Sequence, residues 1–340
     1  MSAATDTPVG SSVVPSTWDR VRSWSPGQRY LPVIATVVVF LSLFSAGGIR
    51  YEGFADPQVF LSLFLDNAFL IVLAVGMTFV ILTGGIDLSV GSVVALSTVI
   101  AARTLEAGWA APAAIAAVLL VGTVIGLLHG VLIQYLGIQP FIATLAGMFL
   151  ARGLCFLLAE RSIPIDDETF STIAFATITL PGGYYTTWTA VVALATVVVA
   201  AYVLARRRFG RTVYAVGGSE ASALLMGLRV ARTKVAVYAV SGFCAALGGL
   251  LFSLYMLSGN SLHAVGMELD AIAAVVIGGT LLTGGRGLVV GSLVGVLVLG
   301  TIQTFISFDG TLSSWWTKIT IGVLLLAFVM VQRLATRRQP

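Results

Sequence analysis

Asp87 is the residue in this sequence with the most chemistry to offer. It stands in Thr83-Gly84-Gly85-Ile86-Asp87-Leu88-Ser89-Val90-Gly91-Ser92, with an apolar run on each side. An ionisable group flanked by membrane-like sequence is costly and is a functional candidate by default. Its carboxylate suits two tasks: accepting backbone N–H groups at the start of the next helix, or contacting a polar solute. Glu268 and Asp270 open a later apolar stretch, as Asp66 opens an earlier one. These read as caps at the outer rim of a membrane, or as a polar mouth that receives a solute. Asn67, Thr78, Thr144 and Thr280 lie within or beside apolar runs. Each suits a hydrogen bond to a solute hydroxyl or to a neighbouring helix. Asn67, Thr78, Asp87, Thr144, Asp270 and Thr280 together form the candidate solute path.

The remaining reactive side chains read more plainly. His129 sits alone in a Gly-rich run and suits packing rather than a proton relay. Arg152 and Lys318, near the ends of apolar runs, suit snorkelling. Cys155 and Cys244 lie in separate apolar stretches and read as small buried hydrophobes, with no ligand spacing around either. No metal site is expected. The sequence has no Gly-x-x-x-x-Gly-Lys-[Ser/Thr] phosphate loop, no His-Glu-x-x-His pair and no Gly-x-Ser-x-Gly elbow. The chain is therefore expected to be no enzyme and to carry no cofactor of its own.

The elements that must position these residues are membrane spans. Hydrophobic residues make up 58% of the 340 and charged residues 10%, against about 25% charged in soluble domains. A span needs about 20 apolar residues. Runs near 31–47, 59–82, 88–105, 110–134, 138–158, 186–205, 235–257, 268–283, 288–306 and 314–332 fit that ruler. The fold expected is an all-α polytopic membrane protein of about ten transmembrane helices. The run from Leu31 reads as a retained span rather than a cleaved leader. Residues 1–29 read as a disordered cytoplasmic tail, 30–332 as the transmembrane domain and 333–340 as a second cytoplasmic tail.

Charge sets the orientation. Arg20, Arg22 and Arg29 precede the first run; Arg206, Arg207, Arg208, Arg211, Arg229, Arg232 and Lys234 fill one loop; Arg333, Arg337 and Arg338 follow the last run. By the positive-inside rule these regions and both termini are cytoplasmic. Each cluster abuts a span, so nucleic acid is not an expected partner.

The ten-residue phrase around Asp87 is written twice. Thr283-Gly284-Gly285-Arg286-Gly287-Leu288-Val289-Val290-Gly291-Ser292 matches it at seven of ten positions. Two related halves are expected, in parallel or inverted arrangement. Gly122, Gly126 and Gly130, and again Gly287, Gly291 and Gly295, form small-residue ladders for close helix packing.

The cytoplasmic loop 206–234 has a different character. Ser219 suits an N-cap for a short helix from Glu220 to Met226, with Glu220 in its first turn and Gly227 ending it. Gly217 and Gly218 precede the cap. Such a two-turn helix between basic flanks suits docking of a cytoplasmic protein, or lying on the membrane surface.

With these residues in view, the sequence resembles the permeases of ribose-type ABC importers. The resemblance rests on the phrase at 83–92, the stretch Tyr214–Ala223 and the stretch Glu268–Thr280, and it extends over roughly residues 35–330. Within that family, Asp66–Leu70, Ala74–Leu82, Ser162–Ile165 and Phe308–Ile319 are similar to the galactofuranose importer permease. The resemblance implies a bacterial inner-membrane permease that imports a monosaccharide. It implies two cytoplasmic ATPase subunits that bind ATP, a soluble sugar-binding protein outside, and a second, different permease chain. The glycine-led segment Gly217, Gly218, Ser219, Glu220, Met226 and Gly227 would then couple to the ATPase. Departures are a longer N-terminal tail and Ser219 where family members often carry Asn; both residue types cap helices. An ion-gradient-driven transporter also uses repeats and broken helices, and is the alternative class; it more often shows buried paired acids or an acid–His relay.

Overall fold

A computed structural model describes residues 26–313 and 315–337. Residues 1–25 of the expected N-terminal tail, with Arg20 and Arg22, lie outside the described residues, as does Arg338. The chain is helical in each apolar run. In order these helices are α1 (Pro26–Arg50), α2 (Pro57–Asp66), α3 (Ala68–Leu82), α4 (Val90–Glu106), α5 (Ala111–Tyr135) and α6 (Pro140–Leu158). They continue with α7 (Glu168–Phe175), α8 (Trp188–Arg206), α9 (Arg208–Gly218), α10 (Glu220–Leu225), α11 (Val230–Met256), α12 (Met267–Ile277), α13 (Val289–Asp309) and α14 (Trp315–Arg337). α1 begins four residues inside the expected tail, and α14 runs past the expected boundary at 332.

The ten runs do not all become full spans. Among the described residues, six helices are long and apolar enough to cross a membrane: α1, α5, α6, α8, α11 and α13. The run at 59–82 becomes α2 and α3, bent by 57° at Asn67. The run at 88–105 becomes the 17-residue α4, which carries Arg103 and Glu106 at its end. The run expected over 268–283 stops after 11 residues, because Gly278 and Gly279 follow Ile277 and glycines release the chain from a helix. At about 1.5 Å per residue, α12 reaches only some 16 Å, about half of a bilayer core.

Contacts between connecting segments define two faces. On one, β1 (Ile163–Pro164) pairs antiparallel with β4 (Ser258–Gly259). The same connecting segment also carries a hairpin of β2 (Thr177–Thr179) and β3 (Tyr185–Thr187). Gln58 exchanges two hydrogen bonds with the Tyr185 main chain, and the Tyr51 hydroxyl donates to Asp309. On the other face lie α9, α10 and the two glycine loops. This basic face carries Arg206, Arg207, Arg208, Arg211, Arg229, Arg232 and Lys234.

α11 is the central post, packed against α5, α3 and α4, while α13 packs against α12 and α1. The glycine ladder of α5 explains the closest of these contacts. Gly122 and Gly126 lie against the Gly242 backbone, and Gly130 against Val235. In lipid, helices associate through such close packing rather than through hydrophobic exclusion. On α13, Gly291 meets Gly278 just past the end of α12 and Gly295 meets Ala274 within it in the same way, whereas Gly287 lies before the helix in the loop. A Gly126→Val substitution should therefore lower stability by about 1–3 kcal/mol through overpacking. Gly153→Ala, where a Cβ enters open space, should not lower it. Thermal unfolding of both variants in detergent measures the difference.

Candidate functional site

The two copies of the repeated phrase meet. The Gly285 N–H donates to the Leu82 carbonyl at 2.8 Å, and Gly284 lies against the Gly84 backbone. Both loops therefore sit at one end of the bundle, and the hairpins α3–α4 and α12–α13 run in the same sense. A third segment closes the contact. Gly217, near the end of α9, rests on the Leu82 carbonyl and the Gly285 N–H, where no Cβ fits. The Tyr214 hydroxyl, one turn earlier, donates to the Gly287 carbonyl at 2.8 Å. The basic-face segment is thus seated on both repeats at one glycine.

Beyond Gly217 the chain turns into α10. The Ser219 hydroxyl accepts the Ser222 N–H at 3.2 Å, and Glu220 lies in the first turn. Met226 is the C-cap and Gly227, at φ +73°, reverses the chain. Glu220 pairs with Lys234 of α11 at 2.6 Å; at its partial exposure the pair orients α10 more than it stabilises it. Ala223 faces inward with Val216 and Val230 in a small apolar cluster separate from the main core. Leu224, Leu225 and Met226 face outward, Leu225 at 90% exposure. Beside them lies a cavity of about 410 Å³ lined by Tyr135, Leu224, Leu228, Arg229 and Arg232.

Asp87 lies deeper. The loop leaves Gly84 and climbs along α11 without helical hydrogen bonds until α4 starts at Val90. Asp87 is 1% exposed. One carboxylate oxygen accepts the Ser89 N–H at 3.0 Å and the Ser89 hydroxyl at 2.6 Å. The other accepts the Ser241 hydroxyl at 2.7 Å, and Ser241 lies near the middle of α11. The Ser89 hydroxyl stands 3.5 Å from His129 Nδ1, and Gly147 leaves room for that ring. The Tyr238 hydroxyl donates to the Ile86 carbonyl at 3.3 Å. The carboxylate thus holds Ser89, the residue before α4, rather than capping the first turn of that helix, and ties the unwound segment to α11.

The other candidate path residues do not gather around it. The Thr78 hydroxyl bonds the Ala74 carbonyl and shares a 2.7 Å hydrogen bond with Ser292 of α13. Asn67 donates to the Leu63 carbonyl at the α2–α3 break and packs against Gly300. Thr144 bonds back to Pro140 within α6. Asp270 holds Lys318 of α14 at 2.7 Å, so Lys318 forms an ion pair rather than snorkelling free. Thr280 is fully buried beside Gly287, and its hydroxyl has no hydrogen-bond partner among the described residues. Asp66 ends α2 instead of opening a span. Sequence reasoning missed Tyr214, Ser241, Tyr238 and Ser292. Their signal is a hydroxyl within an apolar helix or at the edge of a glycine run, which many packing residues share.

Comparison with known proteins agrees with this architecture. Residues 59–329 match the family described as branched-chain amino acid transport system / permease component. The chain is 47% identical to an inner membrane ABC transporter permease protein, YjfF, of Escherichia coli (strain K12), over 90% of this chain and 93% of that one. It is 41% identical to a fructose import permease protein, FruG, of Bifidobacterium longum (strain NCC 2705), over 90% and 92%. It is 36% identical to a ribose import permease protein, RbsC, of Escherichia coli (strain K12), over 91% and 94%. No solved structure matches.

Removing the buried carboxylate has a defined signature. Asp87→Ala strands the Ser89 and Ser241 donors and should lower stability by about 1–3 kcal/mol. In a double-mutant cycle with Ser241→Ala, measured by thermal unfolding, the two effects should depart from additivity by at least about 0.5 kcal/mol.

Proposed function

Since the chain belongs to the branched-chain amino acid transport system permease family, we propose that it forms the translocation path of a monosaccharide importer whose solute is galactofuranose. It is a multi-pass permease of the bacterial inner membrane and a transport subunit, not an enzyme. ABC importers take their energy from ATPase subunits at the cytoplasmic side and their solute from a binding protein outside, and a permease conveys force between them. The basic face is the cytoplasmic one by the positive-inside rule. The ATPase docks on α10, where Leu224, Leu225 and Met226 are presented. Closure of the ATPase moves α9 and α10, and Gly217 delivers that motion to both glycine loops at once, which rocks the two hairpins against each other.

The observation that carries the reading is this three-way seat at Leu82, Gly217 and Gly285. It joins α9, which leads directly into the docking helix α10, to both halves of the path through main-chain contacts. The 1% exposed Asp87 holds the first loop in place rather than meeting the solute. Galactofuranose, and a second permease chain different from this one, rest on the resemblance of Asp66–Leu70, Ala74–Leu82, Ser162–Ile165 and Phe308–Ile319 to the galactofuranose importer permease.

One contact favours a second reading. Asp87 and His129 are linked through Ser89, an acid–His arrangement that an ion-gradient-driven transporter would use. Energy source separates the two readings. Import that stops on ATP depletion and survives an uncoupler supports the ABC reading; the reverse overturns it.

The solute is tested by reconstituting the chain with its co-encoded ATPase, permease partner and binding protein. Galactofuranose-loaded binding protein should stimulate ATP hydrolysis more than ribose, fructose or arabinose does; equal or greater stimulation by another sugar overturns that choice. Gly217→Val and the double variant Glu220→Ala/Gly227→Ala should insert normally yet lose sugar uptake about ten-fold, a deficit of about 1.4 kcal/mol in coupling. Unchanged uptake in these variants removes the docking assignment.

A further inference from the structure

The chain between α11 and α12 enters the bundle instead of crossing its rim. Gly259 lies against Thr98, Val99 and Ala102 of α4. A few residues later Ala264 and Glu268 lie against Gly91, near the start of the same helix. At about 1.5 Å per residue, the chain has descended some 12 Å along α4 between Val99 and Gly91. α12 begins only at that depth, which is why its 11 residues complete the crossing.

The descending backbone is not helical. Leu257, Ala264 and Gly266 bound and bend it at φ 45°, 56° and 81°. The left-handed region is unfavourable for the first two and persists only where the surroundings enforce it. Arg152 of α6 supplies that enforcement, donating to the Ser261 carbonyl and, at 2.8 Å, to the His263 carbonyl. The Ser261 hydroxyl bonds the Ala159 carbonyl, and the Phe252 ring meets the His263 ring edge-on at 5.1 Å. The other side of the segment is open: Leu262 and Val265 are exposed, and Asn260 and Glu268 are half-buried, while the His263 ring turns inward with Nδ1 3.3 Å from the Thr98 hydroxyl of α4. None of the ion pairs among the described residues engages Glu268. Non-helical backbone at membrane depth does not face lipid; it is buried in protein or lines water. An ionisable group at that depth points the same way.

We propose that residues 258–266 and the first turn of α12 line the water-filled outer vestibule of the sugar path, with Asn260 and Glu268 as the polar groups that a polyhydroxylated solute meets on entry. The proposal deepens the import reading and rests on it. Arg152 is the positioning residue that holds the segment in place.

The test uses the full importer in right-side-out vesicles, with Cys155 and Cys244 replaced by alanine. Single cysteines are placed at Leu262, at Val265 and, as a lipid-facing control, at Val198 of α8. A membrane-impermeant methanethiosulfonate cation should modify Leu262→Cys and Val265→Cys about ten-fold faster than Val198→Cys, because the thiolate forms in contact with water. Docking of sugar-loaded binding protein should slow both. Modification no faster than the control, in preparations that still import sugar, overturns the proposal and marks the segment as covered by the second permease chain. Fast modification without ATPase stimulation by any sugar overturns the import reading instead, and leaves the watery lining standing.

Discussion

A peptide group inside a bilayer has to find its hydrogen-bond partner within the protein. Long helices meet that demand by themselves, and six among the described residues are long and apolar enough to do so. Two stretches leave the helical pattern inside the bundle, and much of the polar chemistry exists to satisfy them. The climb after Gly84 is held by Asp87 on the Ser89 N–H, by Ser241 on the carboxylate and by Tyr238 on the Ile86 carbonyl. The descent after Leu257 is held by Arg152 and Ser261. An aspartate and an arginine within apolar surroundings are costly. Here each offsets that cost by completing backbone that lipid would leave unpaired.

The repeat is symmetric in backbone and asymmetric in anchoring. Asp87 in the first copy stands where Gly287 stands in the second. The first loop is consequently tied inward to α11 by a carboxylate. The second is tied to α9 by Tyr214 on the Gly287 carbonyl. One copy belongs to the post of the bundle and the other to the segment on the basic face, while Leu82 and Gly285 keep the copies in register.

Much of this was legible in the sequence because lipid imposes simple rules. Run length gave the helices, cation clusters gave the basic face, and the duplicated glycine phrase gave the hairpins. The Ser219–Gly227 turn was readable because capping is local: Ser219 bonds Ser222, and Gly227 adopts the φ that a chain reversal needs. What was not legible depends on partners distant in sequence. Whether Thr78 meets a solute or Ser292 is decided 214 residues away. Lys318 pairs with a residue 48 positions earlier, and no local pattern announces it. The depth of α12 also escaped, since the apolar run at 268–283 continues through Gly278 and Gly279 in composition but not in backbone.

The apolar knot of Val216, Ala223 and Val230 stands apart from the bundle's interior. Substitutions on the outer side of α10 therefore change what fits against it without repacking the residues deeper in the protein. Under the docking proposed for α10, fit to the motor and choice of cargo are separate traits, and a lineage is free to alter either one while the other is preserved.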